Sequence, residues 1–388
     1  MWTRTEVCPS LQGPWIHGPR WDLAFIFFSA LLVAVPLLTY RLVTAATGVP
    51  PQSFQESQAL GVAMLINLGC AFFIGGPHMY ATYTLTLAER RFRVRHPWLY
   101  AGAGLIPPIV VALAWYRIAL LVALFFAWAS IHAVHQIVYL VRQYQLRRPR
   151  SVALPAWSRA IDYSLAVSCF YPIALWRIFA EPGSVLQLPG GIAIHQGFRI
   201  GAVDISQQLP LLLRGQVWIA DVVALVFAAL FVAFVARSLR ELATGTMLWP
   251  RTLLLLLTVA VSSSLFVFEN LDVALQGFNL WHSTQYVGLV YLINNHRKAR
   301  GLISSAFVAN ISGRDNAALY YGFVVAVSVS AGGLIGFLHY VVGLPLLQAY
   351  YGVHLSGLWI HYLWDHAVFT ESDALTPIAA TAPFPTPA

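Results

Sequence analysis

The sequence predicts an all-α integral membrane protein, a helix bundle with about ten transmembrane helices and both termini in the cytoplasm. Two features of the composition predict this class. Of the 388 residues, 59% are hydrophobic and only 10% are charged, and the mean hydropathy is +0.68. Soluble domains usually carry about 25% charged residues, so the composition excludes an ordinary soluble protein. Three scattered cysteines, with no C-x-x-C pair, indicate neither a disulfide framework nor a cysteine metal site.

Ten segments are long and apolar enough to cross a bilayer, which takes about 20 mainly apolar residues. They are residues 22–42, 59–88, 98–115, 117–141, 160–180, 216–236, 250–268, 271–293, 318–342 and 349–369. Together they define a single membrane domain over residues 22–369. Residues 1–21 are expected to form a cytoplasmic segment, and the first span is expected to stay as a signal-anchor because no cleavage site follows it. Residues 370–388, dominated by Pro, Ala and Thr, predict a disordered tail.

The basic residues predict the orientation. Eighteen of the 23 Arg and Lys residues lie in the N-terminal segment and in the loops after spans two, four, six and eight. By the positive-inside rule these regions face the cytoplasm. The net charge of +8 is therefore interpreted as topology, and no nucleic-acid partner is expected. Residues 181–215, between spans five and six, form the longest predicted extracytoplasmic loop and are candidates for a re-entrant or surface segment.

Histidines in the predicted spans share one depth. Four even-numbered spans, which run in the same direction, place a histidine at this depth: His78, His132, His282 and His361. At 1.5 Å per residue, these four lie within about 5 Å of one another along the membrane normal. A single intramembrane histidine commonly forms an interhelical hydrogen bond. A layer of them on four parallel helices favours a metal site, because neutral imidazole is the commonest metal ligand.

Other polar residues accompany this layer at helical spacing. His135 follows His132 by three residues, and Asp365 follows His361 by four, so that its carboxylate is either a further ligand or an orienting group. The candidate metal ligands are His78, His132, His135, His282, His361 and His366. The candidate catalytic or hydrogen-bonding residues are Asp365, Gln285 and Tyr286. This donor set suits iron, copper or zinc better than calcium.

Two stretches resemble a pattern in poorly characterised bacterial membrane proteins, in which a helix with W-H-x-x-Q-Y precedes a helix with H-Y-x-x-D. They are F-N-L-W-H-S-T-Q-Y, followed by N-N-H-R-K, and H-Y-L-W-D-H-A-V-F, and the resemblance around them covers about fifty residues. The arrangement is similar to that of the Brp/Blh-type carotene dioxygenases, polytopic proteins whose transmembrane histidines hold a non-haem iron. The resemblance implies a bacterial inner-membrane protein. The repeated H-x-x-H-H boxes of membrane desaturases do not occur.

These observations predict a membrane oxidoreductase with one or two non-haem iron ions, which oxidises a lipid-soluble or small apolar substrate with O2. Membrane lipids surround it, and an electron-donor protein on the cytoplasmic side is a further candidate partner. Two alternatives stay open. One is a redox protein that binds haem b or copper through pairs of histidines. The other is a transporter for a metal ion or for protons.

Overall fold

The computed structural model describes residues 14–48, 57–147, 155–200, 203–208, 215–268 and 270–371. In these ranges the chain folds as an α-helical bundle with two short antiparallel hairpins, so the predicted all-α class is confirmed. The predicted N-terminal segment and C-terminal tail lie largely outside the described residues, and the last helix extends to Glu371.

Fifteen α-helices are described. They are α1 (Pro19–Asp22), α2 (Ala34–Thr47), α3 (Ser57–Cys70), α4 (Gly76–Leu85), α5 (Arg90–Arg95), α6 (Pro97–Tyr116), α7 (Ile118–Leu146), α8 (Ala156–Ser168), α9 (Pro172–Phe179), α10 (Trp218–Ala243), α11 (Trp249–Leu265), α12 (Leu271–Ala299), α13 (Ala306–Ile311), α14 (Ala317–Tyr340) and α15 (Leu346–Glu371). A π-helical turn (Leu23–Phe27) and a 3₁₀ turn (Phe28–Val33) join α1 to α2, and a second π-helical turn (Ala71–Gly75) joins α3 to α4.

Six described helical segments are long and apolar enough to cross a membrane, as expected for a multi-pass membrane protein. They are Pro19–Thr47, Gly61–Leu85, Pro97–Tyr116, Ile118–Leu146, Trp218–Ala243 and Ala317–Tyr340. The predicted count of ten spans and the sides of the termini stay predictions.

The other four predicted spans differ from these six for identifiable reasons. The segment 160–180 is divided between α8 and α9, because the helix is interrupted before Pro172, which begins a new one. Helix α11 is apolar but has only 17 residues. Helices α12 and α15 have 29 and 26 residues, long enough to span, but polar side chains lower their hydropathy. Those polar side chains belong to the candidate site described below.

Helix α12 is the central element of the bundle. Its Trp281 is fully buried, and its glycines allow the first helix to approach closely: a Cβ at Gly277 would lie 2.4 Å from the Val33 carbonyl oxygen. Gln285 Nε2 donates to the Ile26 carbonyl, in the π-helical turn of that first helix, at 3.0 Å. A side chain of α12 therefore hydrogen-bonds the backbone of its neighbour where that helix is distorted.

A buried ionic network joins α8, α10 and α11. Arg237 Nη2 lies 2.5 Å from Asp162 Oδ1, and Arg251 Nη1 lies 3.7 Å from Asp162 Oδ2. Arg251 also donates to Glu241, and Gln145 Nε2 on α7 donates to Asp162 at 2.8 Å. The Asp162 side chain is fully buried. Because a buried carboxylate is costly unless it is paired, this network fixes the relative positions of the four helices.

The predicted loop 181–215 contains the β-structure. Strand β1 (Val185–Leu188) pairs with β2 (Ile192–His195), and β3 (Arg199–Ile200) pairs with β4 (Val203–Asp204), both antiparallel. Arg177 of α9 anchors this region, since its Nε donates to the Gly197 carbonyl at 2.9 Å and its Nη1 to that of Phe266 at 3.0 Å. We call this end of the bundle the hairpin side.

Replacement of Asp162 by Ala should lower the free energy of unfolding by about 3–5 kcal/mol, because it leaves the buried guanidinium of Arg237 without its closest carboxylate. Unfolding in a mild detergent with increasing denaturant measures this change. The matched control is Arg199→Ala, which removes an exposed ion pair with Asp204 and should cost under about 1 kcal/mol. Equal losses for the two variants would contradict the role given to the network.

Candidate metal centre

Four histidines on four different helices meet in the interior of the bundle. They are His78 on α4, His132 on α7, His282 on α12 and His361 on α15, with exposed fractions of 3%, 5%, 6% and 0%. The centroids of neighbouring imidazole rings are 4.6–5.3 Å apart for the pairs His78–His361, His132–His361, His132–His282 and His78–His282. The shared depth predicted from the sequence therefore corresponds to a single cluster.

The Nε2 atoms are spaced like ligands of one ion. His132 Nε2 lies 3.0 Å from His282 Nε2 and 3.3 Å from His361 Nε2. Ligand nitrogens at 2.0–2.1 Å from a common ion lie about 2.9–3.4 Å apart in octahedral or tetrahedral geometry. His78, His132 and His282 each offer a nitrogen to one group that could hold a metal. The spacing fits a metal bound by imidazoles.

The Nδ1 atoms identify the tautomers. His78 Nδ1 lies 2.5 Å from the Gly75 carbonyl oxygen, which only accepts, so the proton is on Nδ1 and the lone pair is on Nε2. His132 Nδ1 faces Asp365 Oδ2 at 3.5 Å, and His361 Nδ1 contacts Thr82 Oγ1 at 2.6 Å. These contacts direct the Nε2 lone pairs toward one another, and a bound cation would relieve their repulsion.

Hydrogen bonds alone do not satisfy this arrangement. A ring nitrogen carries one proton or one lone pair, so His132 Nε2 forms a good hydrogen bond with only one of its two Nε2 neighbours. His78 Nε2 is buried and has no hydrogen-bond partner among the described residues. A cation at the common centre would provide a partner for all of these nitrogens at once.

Asp365 lies behind the imidazoles rather than between them. Its Oδ1 accepts hydrogen bonds from the hydroxyls of Tyr286 and Thr82, the latter at 3.1 Å, and lies 3.5 Å from His361 Nδ1. Carboxylates on the Nδ1 side of metal-binding histidines fix the ring orientation and raise the basicity of the ligand. Asp365, His132 and His361 also form a second group that could hold a metal. Two hydroxyls already occupy Asp365 Oδ1, which favours the Nε2 side as the metal position.

The backbone of the Ala71–Gly75 turn positions His78. Pro77 lacks an N–H and cannot donate to the Phe73 carbonyl, which accepts a hydrogen bond from the Tyr321 hydroxyl. The Gly75-Gly76-Pro77 stretch thus lies at a π-helical turn in a continuous helical segment. Such turns occur frequently at functional sites. A Cβ at Gly76 would lie 1.9 Å from Ser328 Oγ, so glycine permits the close contact with α14.

A cavity of about 580 Å³ extends from the cluster toward the hairpin side. On α7, α12 and α15, the lining residues lie mostly before the cluster histidine in the chain, so these three helices pass through this layer in the same direction. Aromatic side chains form much of its wall: Phe125, Phe126, Phe170, Phe198, Phe266 and Phe278. Mostly apolar cavities of this size typically bind small organic ligands.

The other residues predicted for the site lie beside the histidine cluster or away from it. The structure does not bring His135 and His366 to the cluster: they pair with each other at a centroid distance of 5.5 Å, and His366 is exposed. Tyr286 contacts the rings of His78 and His361 and bonds to Asp365. Gln285 accepts from Gln136 Nε2 at 3.2 Å and lies beside the cluster rather than in it.

Sequence reasoning did not identify several residues of the site. Thr82 contacts both His361 and Asp365, and Tyr362 stacks on His132 with ring centroids 4.4 Å apart. Ser283 Oγ lies 3.0 Å from His78 Nδ1. Thr82 follows His78 by four residues, and this spacing was the available signal for it.

Comparison with known proteins gives no assignment: no family model, curated protein or solved structure matches this chain.

Purified protein should bind close to one metal ion per chain, and His132→Ala should lose most of it, because His132 Nε2 is adjacent to two of the other three imidazoles. Metal analysis after loading with Fe(II) or Zn(II) and removal of excess ion measures the occupancy. His135→Ala is the matched control on the same helix and should keep its metal. If both variants lost metal equally, the assignment of the ligands would be wrong.

Asp365→Asn should weaken metal affinity about 10- to 100-fold without abolishing binding, since the carboxylate orients two ligands from their Nδ1 sides. Competition with a chelator of known affinity measures the change. Asp221→Asn, an exposed carboxylate on α10, should have no effect. Complete loss of metal in Asp365→Asn would instead make Asp365 a direct ligand.

Proposed function

We propose that the protein is a membrane metalloenzyme in which His78, His132, His282 and His361 hold one non-haem iron and an apolar substrate is oxidised by O2 in the adjoining cavity. The observation that carries the proposal is the convergence of four buried imidazoles, three of which (His78, His132 and His282) line the inner end of a mainly apolar cavity. Imidazole-bound iron with open positions supplies O2 activation. The resemblance to Brp/Blh-type dioxygenases supports the same chemistry.

The residues of this chain have separable roles in that proposal. The four imidazoles bind the ion, and Asp365 with Thr82 holds two of them in position. The aromatic wall binds the apolar substrate and excludes water from the reacting centre. The Tyr286 hydroxyl donates a hydrogen bond to Asp365. Tyr286 is therefore the candidate group through which a proton would reach or leave the layer of metal ligands.

The alternatives fit these contacts less well. A haem needs a flat macrocycle between two axial nitrogens, whereas Nε2 atoms 3.0 Å apart leave no room for one. A transporter needs a path that is polar on all sides, whereas the cavity on the hairpin side of the cluster is mainly apolar, with polar groups along one face of α12. Copper has the same preference for imidazole and is distinguished from iron only by metal analysis.

The proposal includes location and partners. The chain would lie in the bacterial inner membrane, with the cavity on the extracytoplasmic side of the ligand layer. Incorporation of both atoms of O2 into the substrate needs no further electrons. Incorporation of one atom, with the other released as water, needs two electrons and two protons, and an electron-donor protein on the cytoplasmic side would supply them.

Iron-loaded protein should incorporate oxygen from isotopically labelled O2 into an apolar component of the host membrane lipids, and mass spectrometry of the extracted lipids measures this. The visible spectrum should lack a Soret band. One labelled atom, with dependence on added reductant, indicates a monooxygenase, and two labelled atoms indicate a dioxygenase. The controls are His361→Ala and zinc-loaded protein, both expected to be inactive. A Soret band, or equal labelling in the controls, would overturn the proposal.

A further inference from the structure

One wall of the cavity is polar, although the cavity as a whole is mainly apolar. Asp272, Gln276 and Asn279 line it from α12, at spacings of four and three residues that place them on one helical face. The same face continues to Ser283 and so reaches His78. A polar track thus runs along α12 from the hairpin side to the metal centre.

The hydrogen bonds of this track have a defined direction. His78 Nδ1 carries the proton, because the Gly75 carbonyl can only accept it. Because His78 Nδ1 then has no lone pair, Ser283 Oγ, which lies 3.0 Å from it, donates instead to Asn279 Oδ1 at 2.9 Å. The amide of Asn279 in turn donates through Nδ2 to Gln276 Oε1 at 3.1 Å. The track ends at Gln276 Nε2, a donor with no hydrogen-bond partner among the described residues.

An acceptor from another helix lines the same cavity. Asn67 of α3, which packs against α12, has a buried Oδ1 with no hydrogen-bond partner in the described part of the chain. Leaving a buried amide oxygen unpaired costs about 1–3 kcal/mol, so a ligand that donates to it is favoured. A hydroxyl group both donates and accepts, and it matches Asn67 Oδ1 and Gln276 Nε2 alike.

We propose that the cavity binds a lipid-soluble alcohol rather than a pure hydrocarbon, with the hydroxyl held by Gln276 and Asn67 and the apolar skeleton extending to the histidines. This assignment rests on the proposed function in one respect, namely that the skeleton is what reacts. Gln276 precedes His282 by six residues, a rise of about 9 Å along α12. The carbon that is oxidised is thus several bonds away from the hydroxyl, and Gln276 determines which one it is.

Photolabelling in lipid nanodiscs tests this proposal. The probes are hexadecanol carrying a diazirine in its chain and hexadecane carrying the same diazirine, with labelled peptides located by mass spectrometry. The alcohol should label cavity peptides of α7 and α12 about five- to tenfold more than the alkane does, as expected for one or two hydrogen bonds. Gln276→Leu, which removes the donor at similar size, should abolish this preference.

Two control variants separate the polar wall from the rest of the cavity. Phe126→Leu, on the aromatic wall, should reduce labelling by both probes and keep their ratio. Gln348→Leu makes the same chemical change on α15 outside the cavity lining and should change nothing. Equal labelling by alcohol and alkane in the parent protein, or an unchanged ratio in Gln276→Leu, would overturn the proposal.

Iron content, measured on every sample, distinguishes the two proposals, because Gln276 is not a ligand and its variant should keep the parent stoichiometry. If the parent protein binds no iron but still prefers the alcohol, the metalloenzyme proposal fails and the binding assignment stands. If iron is bound and the alcohol has no advantage, the binding assignment fails and the metalloenzyme proposal stands.

Discussion

The convergence of imidazole lone pairs is the constraint on which the rest of the site depends. A carbonyl at Gly75, a carboxylate at Asp365 and a hydroxyl at Thr82 engage the Nδ1 atoms of three different histidines, so their Nε2 atoms face a common point. In a low-dielectric interior such an arrangement is unfavourable unless a cation occupies that point. Each contact therefore suits the metal binding proposed above.

Helix α12 carries many of the polar side chains that this arrangement requires inside the bundle. It carries His282, Gln285, Tyr286 and the polar track, and these side chains lower its hydropathy enough to set it apart from the six clearly apolar helices. Burial inside the bundle makes this low hydropathy tolerable, because the polar side chains of α12 face other helices and not lipid. Its glycines allow close contact with the first helix, whose distorted backbone offers a carbonyl to Gln285. The central position of α12 in the bundle is thus linked to the proposed function of its side chains.

The sequence allowed part of this site to be predicted. Depth along a helix follows from counting residues, and counting was sufficient for His78, His132, His282 and His361, which the structure brings together. Counting does not tell which face of each helix is directed toward the cluster. At 3.6 residues per turn, His135 is turned about 60° from His132, and in the structure it packs against His366 instead. Thr82 and the π-helical turn depend on how neighbouring helices pack, which composition does not specify.

The polar track connects the two proposed sites through one backbone contact. The Gly75 carbonyl holds the proton of His78 on Nδ1, which leaves the Nε2 lone pair for a metal. Ser283 donates to Asn279, and the amides of Asn279 and Gln276 then have their donors directed toward the cavity. Because the backbone fixes this proton, the proposed hydroxyl site at Gln276 does not require the metal. The contact that exposes the ligand lone pair of His78 thus also sets the direction of the hydrogen bonds that would give an apolar cavity its specificity.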